Sequence, residues 1–295
     1  MMYLYAAYGL NIESELILPE LVAAGDGNDI SILLSDSHDQ EFVDKVDHTY
    51  LRADDEISLT IKDVATFVIR LGKEVVIHPT INVEKRTLSR YVIGPVMALL
   101  LSQRGYLVLH ASCVKVVDEA IAFLGEPGMG KSSMAVAFYS LGYQVIADDV
   151  TVVHVSPGDP LVAYPAFPQI KLDPEVVSVI ETTANFSDPV DKFDGKLGYR
   201  VEYAFCNSPT MLGRIFILEK EMHSEFEKIS PQEAIKELLR NSYPTRWGFP
   251  GGGDHFLRCA EAVRRVPIYR IRRASSVTAL KDLASNLVRF MDGQI

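Results

Sequence analysis

The segment Gly125-Glu126-Pro127-Gly128-Met129-Gly130-Lys131-Ser132 constrains this chain more than any other, because it fits the spacing G-x-x-x-x-G-K-[ST]. Its flanks supply the matching context. Ala120-Ile121-Ala122-Phe123-Leu124 reads as a short apolar strand, and Ser133 to Leu141 reads as an apolar helix. A strand, a glycine-rich turn and a helix in that order let successive backbone N–H groups point at one anion, where a Cβ would crowd them. The helix N-terminus adds unpaired donors and a favourable dipole. In such a loop Lys131 reaches the outer phosphates of a nucleoside triphosphate, and the Ser132 hydroxyl coordinates Mg²⁺. The expected binding set for ATP and Mg²⁺ is therefore Gly125, Glu126, Pro127, Gly128, Met129, Gly130, Lys131, Ser132 and Ser133.

Tyr143-Gln144-Val145-Ile146-Ala147 then reads as an apolar strand that runs into Asp148-Asp149. A carboxylate at a strand's C-terminal end is the usual partner of a phosphate loop. Two adjacent acids allow two roles, a metal ligand and an acceptor for a hydroxyl proton. Neighbours on a regular strand point to opposite faces, so both roles require the strand to have ended. His110 lies two short strands before the loop; a layered α/β core could bring it near the double Asp, where it would tune a carboxylate or orient a phosphate, although an isolated His is more often a core or surface residue.

The rest of the chain supports an α/β fold. Residues 3–85 are β-rich: Thr66–Arg70 and Glu74–His78 form an expected hairpin about Leu71-Gly72-Lys73, and Ile57–Ile61 alternates like a half-buried strand. From Thr87 to Gln103 the pattern is helical, with a bend at Gly94-Pro95 and a stop at Gly105. Leu107–Ala111 and Cys113–Val117 read as strands, and Asp118-Glu119 as a turn between the second of them and Ala120–Leu124. Further on, helices are expected over Asp173–Thr182, Ser230–Asn241, Phe256–Arg265 and Val277–Val288, with strands at Leu212–Leu218 and Pro267–Ile271. Asn185–Tyr199 and Gly248–Asp254 read as loops. Interleaved helices and short apolar strands give an α/β core. The expected division is an acidic β-rich segment over residues 1–85 and an α/β domain with the phosphate loop over 86–295.

Charge sharpens that division. The net charge is −10; residues 1–85 carry 16 acidic and six basic side chains, whereas residues 86–295 carry 23 of each. An acidic chain without a basic run is a poor nucleic-acid binder. The first segment, with Asp54, Asp55 and Glu56 in a loop, reads as a docking surface for neutral or basic acceptors. No apolar run approaches the ~20 residues a bilayer needs. The N-terminus shows no basic region before an apolar stretch, so neither a leader nor a membrane partner is expected. Cys113, Cys206 and Cys259 are widely spaced, which suits reduced thiols in a cytoplasmic protein.

His110-Ala111-Ser112, Phe123 through Ser133 and Gly142 through Asp149 together resemble the catalytic domain of HPr kinase/phosphorylase. The shorter HPr-kinase-like proteins of peptide-maturation systems, such as lasso-peptide clusters, are the nearest likeness. Tyr8-Gly9-Leu10-Asn11-Ile12-Glu13-Ser14-Glu15 and Val266-Pro267-Ile268-Tyr269 also look like those relatives. The resemblance implies a P-loop core of the phosphoenolpyruvate-carboxykinase type. It implies ATP- and Mg²⁺-dependent phosphorylation of a serine in a protein or peptide, and it leaves room for a homo-oligomer. On it, Lys131 and Ser132 serve phosphate and metal, Asp148 is the base, Asp149 is the metal-side carboxylate, and His110 matches the family's histidine; the split between the two Asp residues stays open. The family's second glycine-rich signature, with its Arg-Gly core, is replaced here by Tyr164-Pro165-Ala166-Phe167-Pro168-Gln169-Ile170-Lys171, which argues against phosphorylase activity and against HPr as the acceptor.

Lys192, Lys196 and Arg200 are candidate phosphate clamps in the expected loop. Arg246-Trp247, ahead of Gly251-Gly252-Gly253, reads as an exposed turn or as a lid. Arg264, Arg265, Arg270, Arg272 and Arg273 form a basic cluster suited to the acidic N-terminal part. Two rival functions share these motifs: a nucleotide-binding regulatory module without transfer, and a small-metabolite kinase.

Overall fold

A computed structural model describes residues 1–35, 48–53, 55–180, 191–193, 195–221, 225–248, 252–273 and 279–294. The chain is mixed α/β and divides into two compact units, Met1–Val108 with Tyr243–Pro250, and Leu109–Ser242 with Gly251–Ile295.

The first unit carries β1 (Tyr3–Ala7), β2 (Leu10–Ser14), β3 (Val22–Ala23), β4 (Ile30–Leu34), β5 (His48–Ala53), β6 (Glu56–Ile61), β7 (Ala65–Arg70) and β8 (Glu74–Pro79). They form one sheet in the order β3-β1-β2-β4-β8-β7-β6-β5. Alternation sets its buried face: Ile57, Leu59 and Ile61 point inward along β6, and Phe67 and Ile69 do so along β7. The β7–β8 hairpin turns as expected. Leu71 and Gly72 both take positive φ, and Lys73 N donates to Arg70 O at 2.9 Å, the primed geometry that suits strand twist. Of the expected acidic loop, Asp54 lies outside the described residues, while Glu56 is in β6 and pairs with Arg70 at 2.8 Å.

The helical stretch is split where Gly94-Pro95 suggested. α1 (Lys85–Tyr91) passes through a wide π-type turn at Val92–Val96 into α2 (Met97–Gln103), and Gly94 leaves helical geometry at φ −101, ψ −108. Gly105 closes α2 at φ 87: its N–H reaches Ser102 O and that of Tyr106 reaches Leu101 O, a Schellman ending.

The rest of the chain carries a longer alternation, in the second unit except where noted: β9 (Leu107–His110, its first two residues in the first unit), β10 (Ser112–Val116), β11 (Glu119–Leu124), α3 (Lys131–Ser140), β12 (Gln144–Ala147), β13 (Val150–His154), β14 (Val162–Tyr164), β15 (Gln169–Leu172), α4 (Pro174–Ile180), β16 (Asp191–Phe193), β17 (Lys196–Arg200), β18 (Thr210–Lys220), β19 (Glu225–Lys228), α5 (Pro231–Arg240), α6 (Tyr243–Arg246, in the first unit), α7 (Gly252–Arg265), β20 (Ile268–Arg273) and α8 (Leu280–Met291). The main sheet runs β12-β10-β11-β18-β14-β13-β9, with β20 beside β18 and β19 beside β20. β11, β18 and β20 are mutually parallel, whereas β10 pairs with β11, β14 with β18 and β19 with β20 antiparallel, so the sheet is mixed. β15, β17 and β16 make a second, three-stranded antiparallel sheet.

α3 is apolar all round because it is covered all round. Met134, Val136 and Phe138 sit in a core with Phe123 and Phe216 of the main sheet, Ile170 and Leu172 of β15, and Leu283 and Leu287 of α8. The Ser230 hydroxyl accepts from Glu233 N at 3.3 Å and opens α5 as its sequence requires.

Several boundaries differ from expectation. The stretch read as the loop Asn185–Tyr199 holds β16 and β17, since its short Lys196–Arg200 run pairs with β15; residues 185–190 and 194 lie outside the described set. Gly252 to Asp254 begin α7 rather than a loop, tertiary packing overriding glycine's low propensity. α8 is described from Leu280, with Val277 outside; Thr182 is likewise outside. Arg246-Trp247 forms a helical turn closed by Trp247 N on Tyr243 O. The arginine cluster is satisfied inside its own unit: Arg270 pairs with Glu219 and Glu233, Arg272 with Glu225 and Glu227, and Arg264 with Glu261. All three cysteines are buried free thiols. Among the described residues no helix is long and apolar enough to cross a membrane.

His255 of α7 is buried, with Nε2 at 2.8 Å from the Ser242 hydroxyl. Burial, and then the charge of Arg258, hold its pKa below that of a free imidazole. The unfolded chain therefore binds a proton near pH 6.5 that the folded chain refuses, and stability falls as pH drops below that value. Thermal melts at about pH 7.5 and about pH 5.5 should show a larger loss for wild type than for His255→Gln, which keeps a partner for Ser242 but cannot titrate.

Candidate active site

The glycine loop leaves β11 at Leu124 and enters α3 at Lys131. Gly125, Gly128 and Gly130 take φ of 147°, 80° and 87°, values that L side chains rarely adopt. Two of the three are also crowded. A Cβ on Gly125 would stand 2.9 Å from Leu218 O, and one on Gly130 would collide with the Arg273 guanidinium. Arg273 in turn donates to Met129 O at 2.9 Å and so pins the loop to β20. Lys131 is buried at the start of α3, its ammonium donating to Gly125 O at 2.8 Å and Glu126 O at 3.2 Å. Ser133 is buried beneath the loop, Ser132 is half-buried, and Glu126, Pro127 and Gly128 are exposed at its tip. Gly130→Ala should cost more than the ~1–2 kcal/mol of holding an L-residue in left-handed geometry, because the Arg273 collision adds; a fall in thermal midpoint with weakened nucleotide binding is the expected readout.

The double Asp sits at the same end of the sheet. β11 and β12 both pair antiparallel with β10, so they run parallel to each other and their C-terminal ends emerge together. Ser112, at the start of β10, pairs with Phe123 of β11 and donates its hydroxyl to Asp148 Oδ1 at 2.5 Å. The strand ends at Ala147 and Asp149 takes φ 74°, so the two carboxylates diverge. Asp148 is buried, and its Oδ2 accepts from Lys171 N at 2.9 Å. Asp149 is partly exposed; its Oδ1 lies 2.9 Å from His110 Nδ1 and its Oδ2 3.3 Å from Lys171 Nζ. Burial pushes the Asp149 carboxyl up, but the charge of Lys171 and the His110 hydrogen bond outweigh it and hold the group well below the usual carboxylate range.

A further residue binds these parts to one another. Asn241, which ends α5, accepts His110 N on its backbone oxygen at 2.8 Å and Gly125 N on its side-chain oxygen at 3.2 Å. Its Nδ2 returns to Glu237 O at 2.9 Å.

All the motif residues thus belong to one unit, and His110, Asp148 and Asp149 are in contact through Ser112 and Lys171. Comparison with known proteins adds little to this. No family model matches the chain, and no curated protein does. Among solved structures, the chain is similar to the HPr(Ser) kinase/phosphatase from Coxiella burnetii at a TM-score of 0.34 and 14% identity, covering 63% of this chain and 97% of that one. A likeness of that size carries no argument.

Of the proposed clamps, Lys196 and Arg200 lie on β17, and Arg200 stands opposite Gln169; the Lys192 side chain lies outside the described set. Sequence reading missed Lys171 and Asn241 as members of the site. Neither belongs to a motif: Lys171 lay in a segment without a recognisable signature, and Asn241 read only as a helix end.

Two oxygen donors suit a hard cation here, the Ser132 hydroxyl and the partly exposed, charged Asp149 carboxylate. Among the described residues no three His, Cys, Asp or Glu side chains are grouped to hold a metal.

Proposed function

We propose that the chain is a kinase that transfers the γ-phosphoryl group of ATP to a serine hydroxyl of a protein or peptide. The observation that supports it is that Lys131 in its glycine loop and the Asp148–Asp149 pair with His110 emerge at one end of a single sheet. The loop N–H groups and Lys131 hold the phosphates; on nucleotide binding, Lys131 exchanges its two carbonyl partners for phosphate oxygens. Asp148 takes the proton of the attacking hydroxyl, whose oxygen forms the new bond to phosphorus while the bond to the ADP oxygen breaks. His110 and Lys171 keep Asp149 charged and in place on the metal side. Bound Mg²⁺, held by Ser132 and Asp149, would supply neutralising charge to the phosphates. The acidic first unit offers a docking surface to neutral or basic acceptors.

The test is the purified full chain with Mg²⁺-ATP and candidate proteins and peptides, read by mass spectrometry. Phosphoserine in an acceptor supports the reading. Nucleotide binding without any acceptor gaining phosphate would leave a regulatory module, and phosphate on small hydroxy compounds alone would make it a metabolite kinase.

A further inference from the structure

β15 has two unlike faces. Ile170 and Leu172 enter the core beneath α3, while Lys171 reaches the other way to Asp149. Gln169 alternates with Ile170 and so shares the face of Lys171. It is only 2% exposed, yet neither its Oε1 nor its Nε2 has a hydrogen-bond partner among the described residues. Its cross-strand neighbour on that face is Arg200, and the position opposite Lys171 is Gly198, which adds no side chain. A buried amide with both ends unpaired is costly and calls for an explanation.

We propose that Gln169 is a specificity-determining residue that pairs with a peptide bond beside the serine to be phosphorylated. The inference rests on the kinase reading and names what that kinase recognises. A carboxamide offers one donor edge and one acceptor edge. A phosphate oxygen would satisfy the NH₂ and leave Oε1 orphaned, whereas a peptide group satisfies both. The strand places this amide two residues from Lys171, whose N–H holds Asp148, so a peptide docked on Gln169 presents its neighbouring hydroxyl to the proposed base. The acceptor reaches the amide by displacing what covers it; Arg200, the cross-strand neighbour on that face, has a long and flexible side chain.

The test uses the full chain and a degenerate library of serine peptides, then the best member and its counterpart with an ester in place of the amide beside the phosphorylated serine. Wild type should favour the amide by about tenfold in kcat/KM, the weight of a small hydrogen-bonded pair. Gln169→Met should lose that preference, keep the KM for ATP, and melt at the same temperature or higher because an unsatisfied polar group has gone. A variant that still prefers the amide overturns the proposal and leaves the kinase reading standing. So does a variant that only melts earlier, since that marks a structural amide satisfied by buried water. If wild type phosphorylates only intact proteins and no peptide, the proposal falls and the kinase reading stands; if it phosphorylates neither, both fall.

Discussion

Asp148→Asn is expected to lower phosphoryl transfer by about a thousandfold while leaving ATP affinity within a few fold, the range assigned to a general base. The substitution can keep the local structure. Asparagine can turn its oxygen to Lys171 N, which now reaches Asp148 Oδ2 at 2.9 Å. Its NH₂ then faces the Ser112 hydroxyl, which accepts as readily as it donates. Only the capacity to take a proton is lost. Asp149→Asn should behave differently: it removes the charge that Lys171 and His110 hold, so the loss should appear as a raised Mg²⁺ requirement as well as a lower rate. Titrating Mg²⁺ at saturating ATP separates the two. If Asp148→Asn were fully active and Asp149→Asn inactive at every Mg²⁺ concentration, the two roles would have to be exchanged.

Lys131→Met should be the second large loss, roughly a hundred- to a thousandfold in transfer, the size found for removing one preorganised donor to developing charge. Methionine fills much of the buried stem but cannot donate. Two effects combine. The phosphates lose a cation, and the loop loses the bonds from Lys131 to Gly125 O and Glu126 O that shape it without nucleotide. ATP affinity measured by calorimetry should fall together with the rate. Circular dichroism should stay unchanged, because α3 is held by its core and not by this side chain. Retained ATP binding with normal transfer would remove the loop from the active site.

The parts of this structure that were legible in the sequence are those set by local chemistry. The glycine loop, the Gly94-Pro95 break, the Schellman stop at Gly105 and the Ser230 cap each follow from a few adjacent residues. The β7–β8 hairpin does so too, although it carries Leu71 at positive φ. The placement of His110 beside the double Asp was expected from the family resemblance and not from its position alone; the sheet supplies the reason, since His110 ends β9 just ahead of β10, whose start pairs with the end of β12 at Ala147. What was not legible depends on distant partners. β16 and β17 are short and polar and become strands only by pairing, β17 with β15 and β16 with β17. The first turn of α7 contains two glycines and is helical despite them. Lys171 and Asn241 enter the site from segments with no motif. The arginine cluster was assigned to the wrong acids because charge totals carry no address, whereas β18, β19 and α5 bring Glu219, Glu225, Glu227 and Glu233 alongside β20.

Asn241 also has a consequence for how the molecule is made. Its bond to Gly125 spans 116 residues, and contacts of such separation form late, after the loop-closure entropy between them has been overcome. During synthesis the glycine loop and the double Asp emerge well before their tie does. A nascent chain halted before residue 241 holds every motif residue but not the strut that aligns them. Competence to bind nucleotide should therefore arrive abruptly, once residue 241 has emerged, and not grow with chain length.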